Sequence, residues 1–264
     1  MIGTLVYLLG ARTRSDSLLS LARIHDMAPR RTIRAIVIGG VAAAAIHAAP
    51  ALSWFFPITK RLFPNLMGVR HPSQVALSFD DGPDPVSTPK ILEILDKANV
   101  KATFFMLGEM VERYPGVARQ VVSAGHEIGV HGLEHKNSLL RSPRTTGYDM
   151  AKAKQIIEDV TGAKVKLMRP PYGVISLGTL WHARALQLRI VLWTAWGRDW
   201  RIKATAETVI ADLRKHGLGG GTILLHDSDC TSAPGSTWST IGALGSLLEI
   251  CREARLDVVP IGAI

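Results

Sequence analysis

Two adjacent carboxylates, Asp80 and Asp81, close an apolar run over residues 75–79. Neighbouring carboxylates repel each other and lose hydration when buried, so a divalent cation or an arginine has to stabilise them. His131 and His135 have the i, i+4 spacing that places two imidazoles on one face of a helical turn. Two histidines with one carboxylate are a ligand set typical of a catalytic zinc, with one position left for water. The pattern therefore predicts one divalent metal ion, zinc by default, although cobalt, nickel or manganese would fit the same ligands.

Three further polar residues follow predicted strands in the same way. Arg169 comes after KVKLM, Asp199 follows RIVLWTA, and His226 comes after GTILL. In barrels of parallel strands the catalytic residues gather at the carboxyl ends of the strands. Unrelated core histidines and stray acids would not all fall at this kind of position. We therefore expect these groups to meet at one edge of the sheet.

The elements that carry these residues alternate regularly from residue 75 onward. Strands are predicted at VALSF, KATFFML, EIGVH, KVKLMR, RIVLWTA, GTILLHD and LDVVPI, with helices between them. In the first of these helices Ser87 or Thr88 is the expected N-cap, and Pro89 lies in the first turn. Alternation of this kind implies parallel pairing through right-handed crossovers. About seven strands predict an α/β fold, a distorted and nearly closed (β/α) barrel rather than an open sheet.

Composition limits the classes of function. The chain has 264 residues, 47% of them hydrophobic, and a net charge of +9, which suits one sizeable core. Eight basic and two acidic residues precede Leu62, so most of the excess positive charge lies outside the predicted barrel. That distribution disfavours a nucleic-acid binder, in which basic residues spread over the folded body. Cys230 and Cys251 form no CxxC pair, and both a single disulfide and two buried free thiols stay open.

The first third of the chain has a separate character. Residues 35–59 contain no charge, follow Arg30, Arg31 and Arg34, and are long enough to cross a bilayer. Cations before an apolar segment predict a cytoplasmic N-terminus and a catalytic domain outside the membrane, either anchored or secreted. An uncleaved anchor, a signal peptide cleaved near residues 49–51 and a soluble helix packed on the body stay open. We divide the chain into a basic region (1–34), this apolar segment (35–59), a linker (60–74) and a catalytic domain (75–264).

Other residues near the motifs have simpler interpretations. Asp227 and Asp229 follow His226 and either line the mouth of the site or are solvated. Trp193 and Trp196 are expected in the core, as most tryptophans in strands are.

The motifs LSFDDGP, HGLEH, RPPYG, GRDW and LLH occur in this order over residues 75–261. In order and type they resemble the five motifs of the NodB-homology polysaccharide deacetylases, carbohydrate esterase family 4. Each motif is short, but five in the right order, each at a strand end, are very specific. The resemblance covers roughly the last 190 residues and does not extend to the first 70.

This resemblance implies roles for the residues around the metal. Asp80 corresponds to the general base, and Arg169 would pair with it and keep it ionised and oriented. The metal ligands would be Asp81, His131 and His135.

The resemblance also implies roles around the substrate. The backbone N–H of Tyr172 would stabilise the oxyanion. His226 would protonate the leaving amine, and Asp199 would hold its tautomer and raise its pKa. The implied substrate-binding residues are Trp200 and Leu224, which would wall the pocket for the acetyl methyl group, and Pro171.

The implied activity is metal-dependent removal of N-acetyl groups from amino sugars of chitin-like oligosaccharides, peptidoglycan or a lipid-linked glycan. The sequence departs from the family pattern at two places. In HGLEH, Gly132 replaces the Ser or Thr that usually follows the first histidine, so the metal loop needs another brace. The fourth motif is shortened to WGRDW. One alternative is a relative that cleaves another C–N bond, in an N-formyl sugar or a small cyclic or linear amide. Another is a catalytically inactive relative that binds glycan. A carbohydrate partner is expected, with no nucleic acid and no obligate protein partner.

Overall fold

The computed structural model describes residues 32–54, 56–68 and 71–262. The chain divides into two compact units, Met1–His47 and Ala48–Ile264. Arg30 and Arg31, on which the predicted membrane orientation partly depends, lie outside the described residues. The second unit carries every motif discussed above.

The apolar segment near the N-terminus forms helix α1, Thr32–Ser53, with a mean hydropathy of 1.9 in its most apolar stretch. It is long and apolar enough to cross a membrane, by length and composition alone. Its large apolar side chains are exposed, Ile36 and Ile38 among them. The choice between an anchor and a signal sequence stays a prediction.

The strands of the second unit form one parallel sheet. They are β1 (Gln74–Asp80), β2 (Thr103–Leu107), β3 (Glu127–Gly132), β4 (Leu167–Met168), β5 (Arg189–Ile190), β6 (Ala195–Trp196), β7 (Thr222–His226) and β8 (Asp257–Val259). The order across the sheet is β5-β4-β3-β2-β1-β7-β6, and β8 pairs with the first residues of β1. The sheet curls with helices around it, which confirms the predicted distorted (β/α) barrel.

The segment RIVLWTA does not form the single strand that the sequence predicts. Its first residues pair with β4 as β5, and its last residues pair with β7 as β6, at opposite ends of the sheet. The backbone N–H of Val191 still donates to Met168, whereas that of Thr194 donates to Thr222. One extended stretch thus crosses between the two ends of the curled sheet, because each half pairs with a different edge.

Helices follow most of the strands. After α1 they are α2 (Phe56–Leu62), α3 (Ser87–Lys97), α4 (Gly108–Arg113), α5 (Pro115–Ser123), α6 (Pro143–Thr161), α7 (Leu177–Ala185), α8 (Ala206–Arg214) and α9 (Thr237–Glu253). Helix α4, which begins directly after β2, is not predicted from the sequence. The N-cap predicted for α3 is wrong as well. Ser87 and Thr88 lie inside that helix, and Asp84 Oδ1 accepts the backbone N–H groups of Val86 and Ser87.

Alternation along β1 separates the helix-facing core from the barrel interior. Val75, Leu77 and Phe79 are buried against the helices in the main hydrophobic cluster. Ala76 belongs to a separate cluster, with Phe105, Leu167, Val191 and Ile261. The same alternation places Ser78 and Asp80 on the side of Ala76, so the acid at the strand end points with the interior residues.

Within the segment 60–74, assigned above to a linker, residues 66–68 pack on the barrel. Met67 is fully buried in a cluster with Ile175, Leu192 and Leu224. The Leu192 N–H donates to Leu66 O at 2.7 Å, and a threonine of β7 donates to the Gly68 carbonyl. This segment therefore covers the part of the barrel where Leu224 lies, while the proposed domain division itself stays a prediction.

Candidate active site

Asp80 and Arg169 form a buried ion pair inside the barrel. Arg169 Nη1 donates to Asp80 Oδ1 at 2.7 Å and to Ser78 Oγ at 2.8 Å. Its other nitrogens donate to the carbonyls of Val191 and Leu192. A buried guanidinium needs such a set of acceptors, because an unpaired one would lose its hydration without compensation. The arrangement fixes one carboxylate oxygen of Asp80 and leaves the other facing the site.

The three predicted metal ligands come together. Asp81 Oδ1 lies 3.3 Å from His131 Nε2 and 3.6 Å from His135 Nε2. One ligand atom from each residue lies within 4.8 Å of the others. Asp81 leaves the strand with a φ of 79°, a left-handed conformation that aspartate tolerates better than most residues. The turn directs its carboxylate to the histidines while Asp80 keeps its arginine.

Hydrogen bonds orient these ligands for a cation. His131 Nδ1 donates to the Arg169 carbonyl at 2.7 Å, so its Nε2 presents a lone pair to the centre of the triad. Burial and the neighbouring His131 lower the pKa of His135 to about 4, so its imidazole is neutral at pH 7. Asp81 Oδ1 is buried with no hydrogen-bond donor. An orphaned carboxylate oxygen facing two imidazole nitrogens is what a divalent cation requires, so the residues fit a bound metal.

Thr231, which the sequence motifs do not single out, and Asp227 hold the loop after β1. Thr231 Oγ1 donates to Asp81 Oδ2, the oxygen that faces away from the histidines. Asp227 accepts from the Gly82 N–H at 3.1 Å and from Thr88 Oγ1 at 2.6 Å. Asp227 is buried, neither at the mouth nor solvated as predicted. Burial and the charge of Asp81 raise its pKa to about 7.

The metal loop has its brace in α6. Gly132 has a φ of 124°, and an added Cβ would approach Glu134 O and Asp149 Oδ2. Asp149 Oδ2 accepts from the Leu133 N–H at 3.0 Å, and its other oxygen accepts from Arg141 Nη1 at 2.6 Å. A carboxylate from a helix thus performs the bracing that a hydroxyl at position 132 would have supplied. The sequence pointed to the need for this brace but not to its source.

His226 and Asp199 form a dyad on the other side of the metal ligands. Asp199 Oδ1 lies 2.9 Å from His226 Nδ1, and Oδ2 accepts from the His226 N–H and from Thr240 Oγ1 of α9. Burial lowers the pKa of His226, but Asp199, with smaller contributions from Asp81 and Asp80, outweighs it and raises the value to about 10. The His226 side chain is therefore protonated at neutral pH. Because its Nδ1 faces Asp199, Nε2 is the atom that can give up a proton.

A cavity of about 540 Å³ joins these groups. The predicted catalytic, metal-binding and substrate-binding residues that line it are Asp80, Asp81, His131, His135, Tyr172, His226, Trp200 and Leu224. Arg169 and Asp199 do not line it. Tyr172 lines it from a turn in which this residue has a φ of 58°. Trp193 and Trp196 line the same cavity, so they are not simply core residues.

Pro171 does not line this cavity. It is buried beneath the metal loop, where an added Cβ on Gly132 would meet its ring. Pro171 and Tyr172 therefore line different spaces although they are adjacent in the chain, and the substrate-binding role of Pro171 stays a prediction. The two cysteines are free, Cys251 buried and Cys230 exposed, so the chain as described has no disulfide between them.

The sequence is similar to known deacetylases. Residues 68–191 match the family model described as Polysaccharide deacetylase. A peptidoglycan-N-acetylglucosamine deacetylase of Bacillus cereus is 36% identical over 161 residues, which cover 61% of this chain and 58% of that protein. A chitooligosaccharide deacetylase of Azorhizobium caulinodans is 33% identical over 181 residues, covering 68% of this chain and 85% of that one. The chain therefore spans little more than half of the first relative and most of the second.

Solved structures show the same architecture. A peptidoglycan N-acetylglucosamine deacetylase superposes with a TM-score of 0.66 at 32% identity, covering 71% of this chain and 86% of that one. A family 4 pseudoenzyme from Bacillus anthracis has the same TM-score at 27% identity, covering 72% of this chain and 65% of that one. The fold thus occurs both in deacetylases and in a protein described as a pseudoenzyme, so the site residues must decide between them.

Proposed function

This chain belongs to the polysaccharide deacetylase family, and we propose that it hydrolyses N-acetyl groups from amino sugars of a glycan. The observation that carries the proposal is the meeting of three units at one cavity: the Asp80–Arg169 pair, the triad of Asp81 and two histidines, and the His226–Asp199 dyad. Amide hydrolysis needs an activated water, a stabilised oxyanion and a proton for the departing nitrogen. The three units correspond to these three requirements.

Asp81, His131 and His135 would hold the divalent ion. When bound, it polarises the amide carbonyl and lowers the pKa of water at the site toward about 7. Zinc suits the two imidazoles and one carboxylate, and cobalt, nickel or manganese would be accepted by the same ligands.

The chain's own residues would move the protons. Asp80 takes one proton as the water oxygen bonds to the acetyl carbon, while Arg169 holds the carboxylate in place. His226 gives its Nε2 proton to the sugar nitrogen as the C–N bond breaks, and Asp199 stabilises the imidazolium before transfer. The products are acetate and a free amino sugar. The backbone N–H of Tyr172 would donate a hydrogen bond to the oxyanion.

The acetyl group would enter the apolar side of the cavity. Leu224 is buried in the middle of β7, two residues before His226 and therefore on the same face of the strand, and Trp200 follows Asp199 directly. The rings of Trp200 and His226 lie 5.5 Å apart, edge to face. Transfer of the acetyl methyl group from water to a site between these apolar side chains would be favourable.

Envelope glycan is the proposed substrate class, with the catalytic unit outside the cytoplasmic membrane. Relatives named as peptidoglycan and chitooligosaccharide deacetylases support this assignment. Helix α1, with Arg34 close to its start, supports an anchor or an export signal.

The direct test is acetate release from chitooligosaccharides by the full-length chain in detergent, before and after chelation and with zinc or cobalt returned. We expect metal-dependent acetate that the His131→Ala variant does not produce. His71→Ala, which alters an exposed histidine, is the matched control and should behave as the wild type. Formate from N-formyl sugars in place of acetate would favour the other C–N hydrolase. Loss of all turnover with glycan still bound would favour an inactive relative and overturn the proposal.

A further inference from the structure

Cationic side chains line one wall of the cavity. Arg198 and Arg201 flank Asp199 and Trp200 in the loop after β6, and both arginines line the cavity together with His226. An N-acetylated sugar is neutral at its acetamide and hydroxyl groups, so its hydrolysis gives no reason for two cations here. These arginines therefore need a separate explanation.

Arg201 is already paired within the protein. Its Nη2 donates to Asp212 Oδ2, and Lys215 donates to the other oxygen of the same carboxylate at 2.6 Å. Lys215 is the first cause, and Arg201 a further cause, of a lowered pKa for Asp212. One carboxylate is thus shared by two paired cations, Arg201 and Lys215, and only the first of them lines the cavity.

Among residues 32–54, 56–68 and 71–262 no carboxylate lies within ion-pair distance of Arg198, although its charge contributes to the lowered pKa of Asp212. The Arg198 side chain is exposed, and its guanidinium carbon lies 5.7 Å from the ring centroid of Trp196, which also lines the cavity. Its backbone has a φ of 50°, a conformation that costs a non-glycine residue energy and tends to persist at functional positions. The tryptophan supports a planar guanidinium whose donors stay available.

We propose that Arg198, with Arg201 beside it, binds an anionic group on the substrate, a carboxylate or a phosphate, next to the sugar that loses its acetyl group. This inference rests on the proposed function and narrows its substrate to acidic glycans. A guanidinium offers two parallel N–H donors that match either oxyanion. The carboxylate would come from an acidic sugar unit, and the phosphate from a phosphate-linked one.

The test compares three substrates of equal length with the full-length chain: a neutral chitooligosaccharide, one with a carboxylate-bearing N-acetylmuramic acid unit, and one with a terminal phosphate. We expect the wild type to prefer an anionic substrate. In Arg198→Gln the ratio of kcat/KM for anionic over neutral substrate should fall by about tenfold or more, through KM, since charge-assisted hydrogen bonds are lost. Arg198→Lys should restore part of the ratio, and rising salt should reduce it.

Lys203→Gln is the matched control, because Lys203 is an exposed cation of the same loop that does not line the cavity. The substrate that loses its preference identifies carboxylate or phosphate as the source. An equal loss on all three substrates, or no anionic preference in the wild type, would overturn the inference. If no substrate is turned over, the proposed function fails, and calorimetric binding of the anionic oligosaccharides to wild type and Arg198→Gln still decides the role of Arg198.

Discussion

Asp80 and Asp81 are neighbours in the chain but belong to different electrostatic environments. Asp80 continues the strand and pairs with a buried arginine, whereas the left-handed backbone of Asp81 turns its carboxylate toward two histidines. Arg169 offsets the charge of Asp80, and a cation held by the two neutral histidines would offset that of Asp81, so the two adjacent acids would not repel each other. The pair can therefore divide into one base and one metal ligand.

That division predicts separable effects of substitution. Asp80→Asn should lower acetate release by about 10²- to 10⁴-fold, the usual contribution of a general base, and leave metal content unchanged. The measurement pairs kinetics with metal analysis of the same sample. Asp159→Asn, an exposed acid on α6, is the control. Loss of the metal together with activity would assign Asp80 to the ligand set instead.

The His226–Asp199 dyad predicts a pH profile. Because Asp199 raises the pKa of His226, the acid form of the imidazole persists above the ordinary histidine value and is lost only as pH rises through the raised pKa. In Asp199→Asn the alkaline limb of kcat/KM should therefore move to lower pH, toward about 6.5. Profiles of both proteins at saturating metal provide the measurement. An unmoved limb would show that another group limits activity at high pH.

At the scale of elements, the sequence predicts what local patterning controls. The motif positions at strand ends, Asp80 and His226 among them, are clear because each follows an apolar run, and the barrel follows from the alternation. The split of RIVLWTA is hidden, since it depends on which sheet edge each half meets. The contacts of Asp149 and Asp227 are hidden for the same reason: their partners lie on other elements.

The α6 brace predicts a metal phenotype at a residue that does not contact the cation. Asp149→Ala leaves the Leu133 N–H without its acceptor and should weaken metal affinity by about 10- to 100-fold, as loss of an outer support does. Chelator competition gives the affinity. Activity should return at excess metal, and Asp159→Ala on the same helix should show no change. A low activity that excess metal does not restore would contradict the bracing role.

At the scale of the whole molecule, charge and hydropathy separate along the chain. Basic residues gather before Leu62, and α1 presents an apolar surface throughout its length. This separation suits the proposed location of the catalytic unit, held at or exported across a membrane. Neither the barrel nor its site depends on that choice, so the sequence predicts the chemistry more closely than the location.

Membrane association has its own test. The full-length chain should sediment with membranes and resist an alkaline carbonate wash, because residues 35–59 carry no charge that would oppose insertion of α1. One arginine at the centre of a spanning helix costs about 2.5–3.5 kcal/mol. Ile38→Arg with Val41→Arg should release the protein, and Ile38→Leu with Val41→Leu should not. The mass of the mature protein distinguishes an anchor from a cleaved signal. A wild-type protein found only in the cytosol would contradict the proposed location.

The central claim is that one divalent ion, held by Asp81, His131 and His135, enables amide hydrolysis at this cavity. The most direct measurement is a zinc titration of chelator-treated full-length protein, followed by acetate release from an N-acetylated oligosaccharide. We expect activity that rises linearly and levels off at about one zinc per chain, with no rise in His131→Ala. Acetate release that is unchanged by chelation, or that persists in His131→Ala, would contradict it.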